Sequence, residues 1–145
     1  MTLLEVENLT KNFGGLTAIS HIDLKINKNE LIGLIGPNGA GKTTLFNLLT
    51  GVYVPSEGSI QFSSDEEKIE LSGKNTSQIG KLGLARTFQN IRLFKDLNVL
   101  DNVRIGMHNE LGANLAQTFF RTKEFYRTEE MMTEKAMNML KFFNM

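Results

Sequence analysis

A chain of 145 residues is long enough for one domain with a sizeable core and short for two. Its 16 basic and 16 acidic residues balance, which argues against a nucleic-acid footprint or an acidic tail, and with no cysteine it has neither disulfide nor thiolate metal site. No apolar run approaches the roughly 18 residues of a membrane span, and the acidic residues in MTLLEVENLTKNFGG do not fit a signal peptide, so a soluble cytoplasmic chain is expected.

The elements follow in chain order. LLEVEN (3–8) and TAISHIDLKI (17–26) alternate apolar and polar residues with period two and predict half-exposed strands. ELIGLIG (30–36) is almost continuously apolar and predicts a buried parallel strand. KTTLFNLLT (42–50) places Leu45, Leu48 and Leu49 at helical spacing, with Gly51 in the stop position. GVYVPSEG reads as a turn and SIQF as a short strand, followed by a polar, irregular stretch over 63–76. A short helix is expected at 77–82, a strand at 84–88 and helix from 98 onward. Over 129–143, Met132, Ala136, Met139, Leu140 and Phe143 share one face of an amphipathic helix that needs a partner surface. Strand and turn patterning gives way to helix between 88 and 98, so residues 1–97 and 98–145 are expected to form two subdomains.

Between the apolar run at 30–36 and the helix at 42–50 lies the stretch that carries chemistry. Gly36-Pro37-Asn38-Gly39-Ala40-Gly41-Lys42-Thr43 fits the phosphate-loop pattern G-x-x-x-x-G-K-[ST]. Glycines let successive backbone N–H groups turn into one concavity, and the helix that follows adds its positive N-terminal end. Lys42 is expected to reach β- and γ-phosphates, the Thr43 hydroxyl to ligate Mg²⁺, and Thr44 to offer a backbone N–H. A chance match in a chain this long has odds of roughly one in two hundred, and a strand before and a helix after sharpen it. The alternative is a glycine-rich turn carrying an exposed lysine.

IGPNGAGKTTLFNLLTG closely resembles the Walker A segment of ABC-type ATPases, and LGLARTFQNIRLFKDLNVLDNV (82–103) resembles the family's Q-loop region. The phrases ARTFQNIRLF and FGGLTAIS resemble, more narrowly, the ATP-binding subunits of branched-chain amino acid importers. The resemblance covers essentially the whole chain. It implies an incomplete α/β P-loop NTPase of the ABC nucleotide-binding type: an N-terminal antiparallel β subdomain, the start of the RecA-like core, and the start of the helical subdomain. It implies that Phe13 stacks on adenine, where residue reasoning alone reads an aromatic at the core's edge. It implies that Gln89 joins Thr43 in holding Mg²⁺, with Gln89 and Lys42 the residues of catalysis present here.

The resemblance also sorts out the decoys. LSGKN (71–75) looks like the family's signature motif but lies before the Q-loop and lacks the last Gly and Gln, so it is expected to be a turn. DEE (65–67) lacks the apolar strand that precedes a Walker B acid, so a solvated loop is expected. His21 and His108 have no partner pattern and are expected to be ordinary surface or rim residues. The methionines from 131 to 145 are expected in a core or subunit contact.

By resemblance, the signature, Walker B with its catalytic glutamate, and the switch histidine belong beyond Met145. The expectation is a chain that binds ATP and Mg²⁺ without turning ATP over alone, and that is marginally folded or prone to associate. The implied partners are a second ATP-binding subunit, in a homo- or heterodimer, and transmembrane permease subunits, with no nucleic acid. The implied location is peripheral, on the inner face of the cell membrane. A soluble ABC-type ATPase and a non-catalytic remnant remain as alternatives.

Overall fold

A computed structural model of the chain describes residues 1–64, 67–88, 92–107 and 123–144. Strand β1 (Thr2–Phe13) and strand β2 (Leu16–Asn27) form a long antiparallel hairpin closed by a two-residue turn in which Gly14 has φ +58°. The period-two pattern works as expected: Leu4, Val6 and Leu9 of β1 face inward, opposite Ile26, Leu24 and Ile22 of β2. Both strands outrun their alternating stretches. Register shifts interrupt the pairing near Asn8 and His21, each with φ 49°, and the main chain there is held by side chains. Asp23 accepts a bond from the Asn8 N–H, and Thr10 Oγ1 one from the His21 N–H.

β3 (Glu57–Ser64) pairs with β1, and β4 (Glu67–Glu70) with β3, giving a four-stranded antiparallel sheet in the order β2-β1-β3-β4. The polar stretch expected to be irregular from 63 therefore contains the end of one strand and the whole of another. Ser63, Ser64, Glu67 and Lys68 pair through their backbones, which a side-chain pattern does not reveal. Residues 71–75 form a turn around Gly73 at φ +85°, as expected for LSGKN.

Helix α1 (Lys42–Leu49) lies within one residue of its expected range and ends at Gly51, φ +70°. It buries Leu45, Leu48 and Leu49. Helix α2 (Thr76–Lys81) starts at a capping box in which Asn75 and Gln78 satisfy each other's backbone N–H groups. The core joins Leu4, Val6, Leu9, Ile19, Ile60 and Phe62 of the sheet to the α1 leucines, Leu71 and Ile79. Each such side chain stabilises the fold by about 1.5–3 kcal/mol relative to exposure.

Two expected strands do not form. Residues 30–36 have no regular structure and lie open, with Leu31 at 100 % exposure and Ile35 at 96 %. A parallel strand needs ladder partners and cover on both faces, and the sheet among the described residues is antiparallel throughout. Residues 84–88 are likewise irregular, with Arg86 reaching back to Asn47 Oδ1 at 2.6 Å.

The contacts divide the chain into two units, Met1–Thr87 and Phe88–Met145. The second contains α3 (Val99–Gly106), capped by Asn98, and α4 (Lys123–Phe142), which starts earlier than the expected amphipathic stretch. Among its described residues Met107, Met132 and Ala136 are buried together, with Leu100 and Val103 packed against them. Arg104 bonds Asp101 and Glu129, joining the two helices. Of the face expected on α4, Met132 and Ala136 are buried, Leu140 is half-buried, and Met139 and Phe143 are exposed. Among the described residues no helix is long and apolar enough to cross a membrane.

Candidate functional site

Gly41 opens α1. Its φ is +81°, and a Cβ built there would stand 2.5 Å from Ile19 Cγ2 and 2.8 Å from the Ala18 carbonyl oxygen. Glycine is thus required twice, for the left-handed backbone and for the close approach of the loop to β2. This approach fixes the start of the helix against the sheet.

Glycine offers no side-chain cap, and no acidic residue stands in the first turn. The N–H groups of Lys42, Thr43 and Thr44 have no acceptor within the helix, by helix geometry. The positive end of the peptide dipoles adds to them. Ahead of the helix, Gly39 has φ +85° and Ala40 N–H donates to the Pro37 carbonyl at 3.3 Å, so the chain folds tightly over 37–40. Residues Gly36 to Ala40 are all exposed. The Lys42 side chain turns back across this loop, donating from Nζ to the carbonyls of Gly36 and Pro37, both at 2.6 Å. The result is an exposed loop with a fixed cation and a helix N-terminus at one place, an arrangement suited to a polyanion.

Thr43 is exposed beside it. Among the described residues no three His, Cys, Asp or Glu side chains cluster as a metal cage. A Mg²⁺ here would be held in the manner usual for nucleotide sites, by phosphate oxygens, water and a hydroxyl such as that of Thr43. Gln89 and His108 lie outside the described residues, as do Asp65 and Glu66, while Glu67 belongs to β4. His21 is an exposed strand residue whose Nδ1 bonds Ser20 Oγ.

Phe13 ends β1 and is 42 % exposed. Its ring meets the Tyr53 ring edge to face at 5.1 Å between centroids, and Lys11 Nζ lies over it at 5.2 Å. The sequence signalled Phe13 only through resemblance and gave no sign of Tyr53, 40 residues away, or of Lys11, which also bonds the distant Val54 carbonyl. A depression of about 500 Å³ on the hairpin, lined by residues 5–8 and 23–25, includes none of the expected site residues.

The sequence profile of the ABC transporter family matches residues 19–145, a span that takes in the loop, α1 and everything after them. The chain belongs to the ABC transporter family. It is 40 % identical over 143 residues to the high-affinity branched-chain amino acid transport ATP-binding protein BraF of Pseudomonas aeruginosa, covering 99 % of this chain and 54 % of that protein. It is 39 % identical over 134 residues to the corresponding protein LivG of Salmonella typhimurium, covering 92 % of this chain and 51 % of the relative. The crystal structure of a nucleotide-free ATP-binding cassette from an ABC transporter superposes with a TM-score of 0.74 at 35 % identity, over 99 % of this chain and 55 % of that one. This ABC transporter chain thus spans about half the length of the curated relatives it matches. The fold it shares with that cassette is part of an ABC nucleotide-binding domain: the antiparallel sheet, α1 and the helices that follow.

Proposed function

We propose that this chain is the nucleotide-binding part of the ATP-binding subunit of an ABC importer for branched-chain amino acids, and that it binds Mg-ATP at Gly36–Thr44. The observation that carries the reading is the Lys42 ammonium folded into a loop locked against β2 at the N-terminus of α1. The names of the relatives favour transport of branched-chain amino acids over a ribosome- or DNA-directed ATPase.

In this reading the backbone N–H groups from Gly39 to Thr44 receive phosphate oxygens, and Lys42 exchanges its two carbonyl partners for the β- and γ-phosphates. Thr43 and Gln89 hold the metal, Phe13 carries the base, and Thr44 contacts a nearer phosphate. A bound Mg²⁺ would neutralise phosphate charge; the chain's own share is positioning and a fixed positive field. Residues 1–97 act as β subdomain and phosphate-loop core, and 98–145 as the start of the helical subdomain. The partners are a second ATP-binding subunit and membrane-spanning permease subunits at the inner face of the cell membrane. The chain alone binds nucleotide without turnover, because the resemblance puts the catalytic base outside these 145 residues.

Titration calorimetry with Mg-ATP on the chain and on Lys42→Ala tests the reading. Binding by the first and its loss in the second is expected, with no phosphate release by either. No binding by either protein, or hydrolysis by the chain that Lys42→Ala abolishes, would contradict it.

A further inference from the structure

We propose that Tyr53 and Lys11 are positioning residues that hold the Phe13 ring as a platform for the nucleotide base at a fixed distance from the phosphate loop. The inference rests on the reading of Phe13 given above and extends it to two residues that no motif marks. The argument starts at the far end of α1. Past Leu49 the chain folds back on the helix: Val52 N–H and Tyr53 N–H both donate to the Asn47 carbonyl, at 2.8 and 3.1 Å. Tyr53 is therefore anchored to α1, and its ring meets Phe13 at 78° between planes, a favourable edge-to-face arrangement.

Lys11 makes a second tie. Its ammonium donates to the Val54 carbonyl at 2.7 Å while lying over the Phe13 ring. Together they restrain an exposed side chain that would otherwise sample several rotamers, and the 42 % exposure leaves ring surface for a planar ligand. The β1–β2 hairpin is thus attached at both ends of α1. At the N-terminal end Gly41 packs on Ala18 and Ile19, and past the C-terminal end Tyr53 and Val54 meet Phe13 and Lys11. A helix pinned this way sets the spacing between a phosphate site at its start and a ring held from its far end.

The test compares Mg-ATP with Mg-tripolyphosphate, which has the phosphates and no base, by titration calorimetry. Tyr53→Leu is expected to weaken Mg-ATP by about three- to tenfold, the range that one lost aromatic pair supports, and to leave tripolyphosphate unchanged. Tyr53→Phe is expected to match the parent chain, since the ring edge makes the contact. Equal weakening of both ligands by Tyr53→Leu would mean a general structural role and overturn the inference. So would an unchanged Tyr53→Leu beside a weakened Phe13→Ala, which leaves the Phe13 reading standing. If Phe13→Ala also binds Mg-ATP normally, the Phe13 reading falls and this inference falls with it.

Discussion

Glu70 shows how much a single side chain can tie together. Its Oε1 accepts from the Ile60 N–H of β3 at 3.1 Å and from the Ser72 N–H at 2.9 Å, closing the turn that leaves β4. Partial burial raises its pKa, but the bonds from Ser72 and Ile60 and the nearby Lys74 outweigh burial, so the folded value lies below the ordinary one. A depressed carboxylate pKa contributes stability above the unfolded value of about 4.3, and that contribution is lost as pH falls through the folded value. Glu70 is mostly exposed and solvent screens the effect, so Glu70→Gln is expected to lower stability by less than about 1 kcal/mol at neutral pH. The gap should close as pH drops below about 4, and urea unfolding of both proteins across that range measures it. A gap independent of pH would assign the effect to packing. Legibility at this scale is uneven. Gly41 and Lys42 were readable because a phosphate loop has fixed spacing, and the structure supplies the steric reason for Gly41. Glu70, Tyr53 and Lys11 each act on at least one partner brought near only by folding, Ile60, Phe13 and Val54 respectively, and no motif marks them.

Elements were legible where a periodic face meets a core that the chain itself provides. β1, β2 and α1 have such faces, and Leu9, Leu48 and Ile60 are almost fully buried. α2 lies within one residue of the helix expected at 77–82, but the capping box of Asn75 and Gln78 that starts it was not read from the sequence. Residues 30–36 are apolar as read, but the strand expected there does not form, because strand formation depends on neighbours and not on composition alone. Stability should follow the structure here. Leu48→Ala is expected to destabilise the chain by about 2–5 kcal/mol, whereas Ile35→Ser, at a 96 % exposed position, should stay within about 0.5 kcal/mol. Thermal melts of the two variants make the comparison, and a large loss in Ile35→Ser would mean that 30–36 is covered in solution.

At the scale of the whole molecule the two units differ, among the described residues, in how much apolar surface they bury. Met1–Thr87 has a core drawn from three strands, two helices and a turn, whereas the described residues of Phe88–Met145 that are buried are Met107, Met132 and Ala136. Local opening should be easier where fewer apolar side chains are buried. Hydrogen exchange is expected to show α3 and α4 exchanging faster than β1, β3 and α1. Met132→Ala should abolish protection in α3 and α4 while sparing the sheet; a matching loss in both units would show that they fold as one. The sequence placed a change of character between 88 and 98, since helical periodicity begins there. Its relatives are about twice as long.

The Lys42 ammonium is held by two carbonyl oxygens of its own loop, each 2.6 Å away. Any molecule that takes their place must offer the cation more than two neutral dipoles can. A nucleoside has no formal charge to offer and a monophosphate carries about two negative charges, whereas a run of phosphates brings more of them within reach of one nitrogen. On the function proposed above, the loop would rank nucleotides by charge before base or sugar is touched, the lysine leaving its carbonyls only for a ligand that carries several charges.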